Sequence, residues 1–260
     1  MLELGMVVAT YIMASFLIVW VIGLAIHDSS IVDIWFAPCL GIAAVIGYFL
    51  ADGASDRREL VLALALLWSL RLGGYLTWRN WGHEDRRYAR LRQHVESQGK
   101  SYAFHSLIHV NIYQGCTVVV LAVPIIIAQA APTPTDLGPL AYAGAAMVVF
   151  GTVFEGIADL QLTRFRSDAQ NVGKVLDTGL WRYSRHPNYF GECCVWFGFG
   201  FISCEAPLGW IGLVSPLFMV WAILGMMGKE LLERRMRKKR PGYEDYIRRT
   251  SGFFPLPPRA

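Results

Sequence analysis

The chain has 260 residues, of which 54% are hydrophobic and 17% charged, with 24 Lys and Arg against 20 Asp and Glu. Its mean hydropathy is +0.38, whereas a soluble domain carries roughly 25% charged residues. These figures exclude a water-soluble, doubly wound dinucleotide enzyme, and the aromatic content of 13% excludes disorder. What remains is an all-α polytopic membrane protein.

A helix needs about twenty apolar residues to cross the hydrocarbon core. Seven stretches meet or approach that length: Met6–Ile26, Ile31–Leu50, Leu60–Thr77, Ser106–Ala128, Leu140–Leu160, Tyr189–Cys204 and Trp210–Gly228. Arg71 interrupts the third, Glu155 and Asp159 interrupt the fifth, and the sixth is short. Only Glu3 is charged ahead of Met6, so the first span reads as a retained helix and not as a cleaved signal.

Alternating these seven spans places 21 Lys and Arg on one side of the membrane, Arg57 and Arg58 at the opposite surface, and Arg71 inside. Basic residues concentrate on the cytoplasmic side. The expected topology therefore has seven transmembrane helices, an external N-terminus and a cytoplasmic C-terminus. Basic runs beside a membrane helix, such as Arg234–Arg240, face anionic headgroups and need no nucleic-acid partner. The external loops are too short for a domain, and neither a repeat nor a low-complexity tract is visible. A single membrane domain spans 1–260, with a cytosolic loop at 79–105, a cofactor-site segment at 155–192 and a basic tail at 229–260.

The five cysteines fall in or at the ends of spans without CxxC spacing, which is the pattern of small apolar packing residues. His105 and His109 share a helical face but have no third ligand at metal spacing, so no metal is expected. Glycine-rich phosphate loops are also absent. A nucleotide would therefore be held by side chains and not by a Rossmann turn.

Ionisable groups at bilayer depth face a cavity or a partner. Asp33 opens the second span and Arg71 lies two-thirds along the third. Glu155 and Asp159 are four apart on the fifth, as are Asn188 and Glu192 on the sixth, and Lys229, Glu230 and Glu233 close the seventh. In the expected topology all of them lie in the cytoplasmic half. They read as a water-accessible pocket open to the cytosol, or, for Arg71 with Asp159 or Glu192, as ion pairs joining helices. Residues 176–192 read LDTGLWRYSRHPNYFGE, with a helix expected to begin near Pro187 or Asn188. Arg182, Tyr183, Arg185, His186, Asn188 and Tyr189 crowd around that N-terminus, where free N–H groups and the helix dipole favour an anion such as a cofactor phosphate.

This run resembles the C-terminal signature of the steroid 5-alpha-reductase and sterol-reductase superfamily, and most closely its bacterial branch of unknown function. The resemblance extends to VDIWF at 32–36, LWSLRLGGYLTWRN at 67–80, HEDRRYARLR at 83–92, FEGIADLQLTRFR at 154–166, LLERRM at 231–236 and PGYEDYIRRTSGFFP at 241–255. It implies a membrane-embedded reductase that uses NADPH from the cytosolic side, in a bacterial inner membrane. The bond reduced would be a C=C bond of a lipid-like substrate: a steroid, sterol or isoprenoid enone. By position it implies cofactor contacts for Arg71, Asp159, Arg166, Tyr183, Arg185, His186, Asn188, Glu192, Lys229, Glu233 and Tyr246. Steroid 5-alpha-reductases use a glutamate on the second span and a tyrosine on the third to hold the substrate carbonyl. The matching residues are Asp33, one methylene shorter, and Trp68, whose indole donates a hydrogen bond but no proton. Tyr75, one turn past Arg71, is a substitute donor, so Asp33 and Tyr75 are the expected catalytic pair. An alternative is an S-adenosylmethionine-dependent membrane methyltransferase, since the isoprenylcysteine and phospholipid methyltransferases resemble the chain through RHPxYxG and the acidic last helix.

Overall fold

Apolar residues on every side of a helix leave nothing for water to face, and α1 (Leu2–Ala25) is built that way. Val8, Ile12, Phe16 and Val19 are buried along one stripe, while Leu17, Ile18, Val21 and Ile22 on the other faces are exposed. In the computed structural model, which describes residues 1–82, 84–226 and 229–259, with the side chains of 226, 229–232 and 235 outside the described set, the same pattern recurs around a bundle. α2 (Ile31–Leu50) and α3 (Ser55–Asn80) follow α1, and α4 (Arg86–Ser97) is a short basic helix capped by Asp85, whose side chain accepts from Arg87 N at 2.8 Å. α5 (Tyr102–Ser106) continues through a π-helical turn at Leu107–Ile112 into α6 (Tyr113–Ala130), and α7 (Pro139–Ser167) is the longest single helix. α8 (Pro187–Cys204) precedes a 3₁₀ turn, α9 (Val214–Trp221) and a second π turn at Ala222–Met226. α10 (Lys229–Lys239) and α11 (Tyr243–Arg249) form the basic tail. No strand occurs among the described residues.

Among the described residues, five helices are long and apolar enough to cross a membrane: Leu2–Ala25, Ile31–Leu50, Ser55–Asn80, Tyr102–Ala130 and Pro139–Ser167. The expected sixth segment and the described part of the seventh are helical as well, but fall short of that standard. α8 spends its first turns on Asn188 and Glu192, and the apolar stretch Gly209–Gly225 is shorter. Most helices overrun the apolar stretches, because hydropathy marks the hydrocarbon-length part whereas the backbone coils on until a residue stops it. α8 begins at Pro187, where a missing N–H leaves no intrahelical partner unsatisfied.

The tightest packing joins α7 to α8, and glycines permit it. A Cβ on Gly144 would lie 2.4 Å from the carbonyl oxygen of Gly198, and one on Gly151 would lie 2.5 Å from that of Gly191. Both pairs are seven residues apart on their helices, so the two backbones touch over two turns. Small residues at such a seam let van der Waals contact and polar pairing join helices that share the same apolar surroundings. Close approach also brings Glu155 and Asp159 of α7 level with Asn188 and Glu192 of α8.

Arg57 departs from its expected surface position: it is 0% exposed. Its guanidinium donates to the carbonyls of Ala128 at 3.0 Å, Ala131 at 2.6 Å and Pro134 at 3.0 Å. The end of α6 leaves carbonyls without intrahelical partners, and a buried cation satisfies them. Glu205 does the converse for α7, accepting from Gly138 N at 2.9 Å and Ala141 N at 3.0 Å.

Candidate functional site

Along α3, Trp68, Arg71, Tyr75 and Arg79 recur at three- and four-residue spacing, so they form one stripe facing α7 and α8. Arg71 reaches two carboxylates of α7: its Nη1 lies 3.1 Å from Asp159 Oδ2, and its Nη2 pairs with Glu155 Oε2. Asn188 Nδ2 donates to the other oxygen of Asp159 at 3.3 Å. Glu192 does not join Arg71. It accepts one bond on each oxygen, from Trp68 Nε1 and Trp196 Nε1, both at 3.0 Å. The two indoles are 1% and 0% exposed and meet edge to face at 5.3 Å. Asn188 Oδ1 and Arg71 Nε have no partner among the described residues. The cluster therefore retains one free acceptor and one free donor.

Asn188 also faces a cavity of about 510 Å³ on the side of the bundle where α3 and α7 end and α8 begins. Arg79, Arg87, Arg166, Lys174, Arg185 and Arg240 line it, with Asp85 as the only acid among the described residues. Arg166 and Lys174 make no side-chain hydrogen bond or ion pair among the described residues, and the Arg79 guanidinium lies 5.5 Å over the Tyr75 ring. Tyr189, Tyr243, Tyr246 and Trp181 supply aromatic walls. A cavity of this size, aromatic in part and strongly cationic, suits a ligand with planar rings and phosphates.

The tail is locked onto the start of α8. Arg185 donates to Glu233 at 2.9 and 3.3 Å, to Ile247 O at 3.2 Å and to Thr250 O at 2.5 Å. His186 Nε2 lies 3.2 Å from Glu233 Oε1, which puts the ring proton on Nε2, and the ring stacks on Tyr189 at 5.4 Å. Burial alone would raise the Glu233 carboxyl, but hydrogen bonds from His186 and Arg185 outweigh it and hold the group down at about 2. Tyr246 donates to Trp181 O at 2.5 Å, tying α11 to the same segment.

The structure sorts the expected site residues into groups. Arg71, Asp159, Asn188 and Glu192 sit together in or beside the buried cluster, and Arg166, Arg185, His186, Asn188 and Tyr246 line the cavity. Glu233 holds Arg185 and His186 from behind. Tyr183 is 42% exposed and is not among the lining residues. The side chain of Lys229 lies outside the described residues. Asp33 goes elsewhere: it accepts from Arg87 at 2.7 Å, Tyr88 at 2.8 Å and Gln114 at 3.1 Å, which pins α4 onto the bundle. The neighbouring Asp85 carboxyl is held below its ordinary range, because hydrogen bonds and charge from Arg87 outweigh the opposing effect of burial. Tyr75 OH meets Thr163 Oγ1 at 3.0 Å, one turn from Arg71.

Glu155 stands out in the sequence as a charge within a span, but its pairing with Arg71 does not. Arg79 continues the Arg71–Tyr75 stripe, and that spacing was the available signal. Lys174 and Arg240 carry no such pattern, since a loop and a tail converge on the cavity only in three dimensions. His105 and His109 bring their rings to 4.5 Å, and no cluster of three potential metal ligands occurs among the described residues.

A family model described as a protein of unknown function, DUF1295, matches residues 19–250. The chain belongs to the DUF1295 family. It is also similar to an uncharacterized protein of Schizosaccharomyces pombe, 28% identical over 274 residues that cover 92% of this chain and 76% of that protein. No solved structure matches the chain. The DUF1295 match runs from within α1 to the end of α11, so it contains every residue of the buried cluster and of the cavity.

Proposed function

We propose that this DUF1295 protein is a membrane-embedded, NADPH-dependent reductase of a C=C bond in a lipid-like enone, with seven membrane-crossing segments and its cavity open to the cytoplasm of a bacterial inner membrane. The observation that supports this most is the cavity itself: among the described residues that line it, Arg79, Arg166, Lys174 and Arg240 pair with no carboxylate, and Asn188 links the wall to the buried Arg71–Asp159 pair. A dinucleotide carries several phosphate charges, which such a lining compensates. S-adenosylmethionine carries a sulfonium, which it repels.

The residues present fit NADPH. Arg166, Lys174, Arg79 and Arg240 would hold its phosphates. Asn188 lines the cavity and its Oδ1 has no partner among the described residues, an acceptor suited to a carboxamide N–H. When bound, NADPH supplies a hydride. The chain must then supply a hydrogen bond to the substrate carbonyl and a proton to the product. Asp33, with three donors on its carboxylate, acts as the anchor of α4 in this arrangement. The Tyr75 hydroxyl, 3.0 Å from Thr163 Oγ1 and one helical turn from Arg71, is the donor we assign.

The test is ligand-dependent thermal stability of the purified chain in detergent. NADPH at about a hundredfold excess over its Kd should stabilise the fold by about 2.7 kcal/mol, with less from NADH at the same concentration. The variant Arg166→Ala, at a side chain with no ion-pair partner among the described residues, should lose that shift while keeping the ligand-free midpoint of the parent. Stabilisation by S-adenosylmethionine alone would sink the proposal.

A further inference from the structure

A second basic recess lies away from the cavity, between the 3₁₀ turn at Gly179–Arg182, the end of α11 and the last residues of the chain. It is an open cleft of about 600 Å³ lined by Asp177, Thr178, Gly179, Arg182, Arg249, Thr250, Pro258 and Arg259. Arg249 is partly compensated: its Nε lies 2.8 Å from Asp245 and its Nη2 lies 3.7 Å from Asp177. The Arg182 and Arg259 side chains make no hydrogen bond or ion pair among the described residues. Three guanidiniums thus face one carboxylate across a cleft, two of them with unused donors. Thr178 and Thr250 add hydroxyls.

The cleft is next to a surface that is apolar and exposed. An aromatic ladder climbs from the membrane-length helix α7 to the tail: Phe150 to Phe154 at 5.4 Å, Phe154 to Phe190 at 5.6 Å and Phe190 to Phe254 at 6.0 Å. Phe150 is 50% exposed, Phe254 62% and Leu256 52%. Leu256 N donates to Tyr183 O at 3.0 Å, which fixes this greasy terminal segment directly beside Arg182. The ladder follows a helix that crosses hydrocarbon, so its upper rungs belong at the boundary between acyl chains and headgroups. The arginine cleft lies at that upper end.

We propose that Arg182, Arg249 and Arg259 form a site for the phosphate of an anionic phospholipid headgroup, with Phe254 and Leu256 lying against the lipid's acyl chains. A planar guanidinium offers paired donors that match phosphate oxygens, and a basic recess at the membrane surface is where an anionic headgroup is retained. A charge cluster alone would attract any anion, whereas the adjoining apolar rungs select an anion that carries a hydrocarbon tail. This site shares no lining residue with the cavity and stands whether or not the cofactor reading holds.

The experiment measures binding of dihexanoyl phosphatidylglycerol, dihexanoyl phosphatidylcholine and inorganic phosphate to the full chain in an uncharged detergent. The wild type should bind phosphatidylglycerol more tightly than either of the others. The double variant R182Q/R259Q should weaken that binding about tenfold or more, as loss of charge-assisted hydrogen bonds requires, with an unchanged lipid-free thermal midpoint. Phe254→Ser should weaken phosphatidylglycerol but not phosphate. An exposed arginine elsewhere, Arg90→Gln, should leave all three unchanged. The proposal is overturned if the double variant binds phosphatidylglycerol like the wild type, if Arg90→Gln weakens it equally, or if inorganic phosphate binds as tightly as the lipid.

Discussion

Glu192 has an indole N–H on each of its oxygens, and Arg71 has a carboxylate on two of its nitrogens; neither pairing is interchangeable. Arg71 joins α3 to α7 through a forked group that a lysine could not reproduce. Replacing it with methionine strands Glu155 and Asp159 together, both under 10% exposed. Removing one partner of such a buried set costs about 3–5 kcal/mol. The expected result for Arg71→Met is a loss in that range in a detergent unfolding titration, with part of it recovered in Arg71→Met/Glu155→Gln. Full loss in both variants would show that the pairing is not what joins these helices. Glu233 gives a pH signature. Its folded carboxyl is held at about 2, below the ordinary 4.5. A depressed folded value means that the carboxylate stabilises the docked tail above pH 4.5, and that this contribution drains away as pH falls toward 2. Hydrogen exchange in α11 should therefore be flat from pH 7 to 5 once corrected for intrinsic rates, and should rise below 4.5. Glu233→Gln should abolish the pH-dependent rise.

At the scale of helices, the α7–α8 seam decides where the polar groups meet. A Cβ on Gly191 would sit 2.8 Å from the backbone of Glu155, so Gly191→Ala must push the helices apart. Overpacking of this kind costs about 1–3 kcal/mol. It should also loosen the bond between Asn188 and Asp159, seen as a loss of ligand-induced stabilisation beyond the loss in ligand-free midpoint. An unchanged midpoint would mean that the seam is slack. Sequence periodicity located these helices well, because long apolar runs leave few alternatives in a membrane. The proline marked the start of α8 near Pro187 or Asn188, and the helix begins at Pro187. Periodicity did not register the π turn at Leu107–Ile112, nor the docking of α4 through Asp33, which joins residues 54 and 55 positions apart.

For the whole molecule, five helices meet the length and hydropathy of a membrane crossing, and two further apolar segments complete the proposed seven. The asymmetry of basic residues is the basis of the proposed orientation. A fluorescent protein fused after Ala260 in a bacterial host should fluoresce, and alkaline phosphatase fused at the same point should stay inactive. The opposite pair of results would invert the bundle and close the cavity to cytosolic cofactors.

The sequence by itself determined that this chain is helical and membrane-embedded, since 17% charge and long apolar runs admit little else. It also singled out the scarce polar residues within those runs, because each one is costly in hydrocarbon and stands out for that reason. Only the tertiary structure decided which of them share a site. Partner choice among Arg71, Glu155, Asp159 and Glu192 depends on helix rotation and separation, set by glycine contacts between α7 and α8. The cavity wall draws on a loop, two helix ends and a tail that no local pattern links.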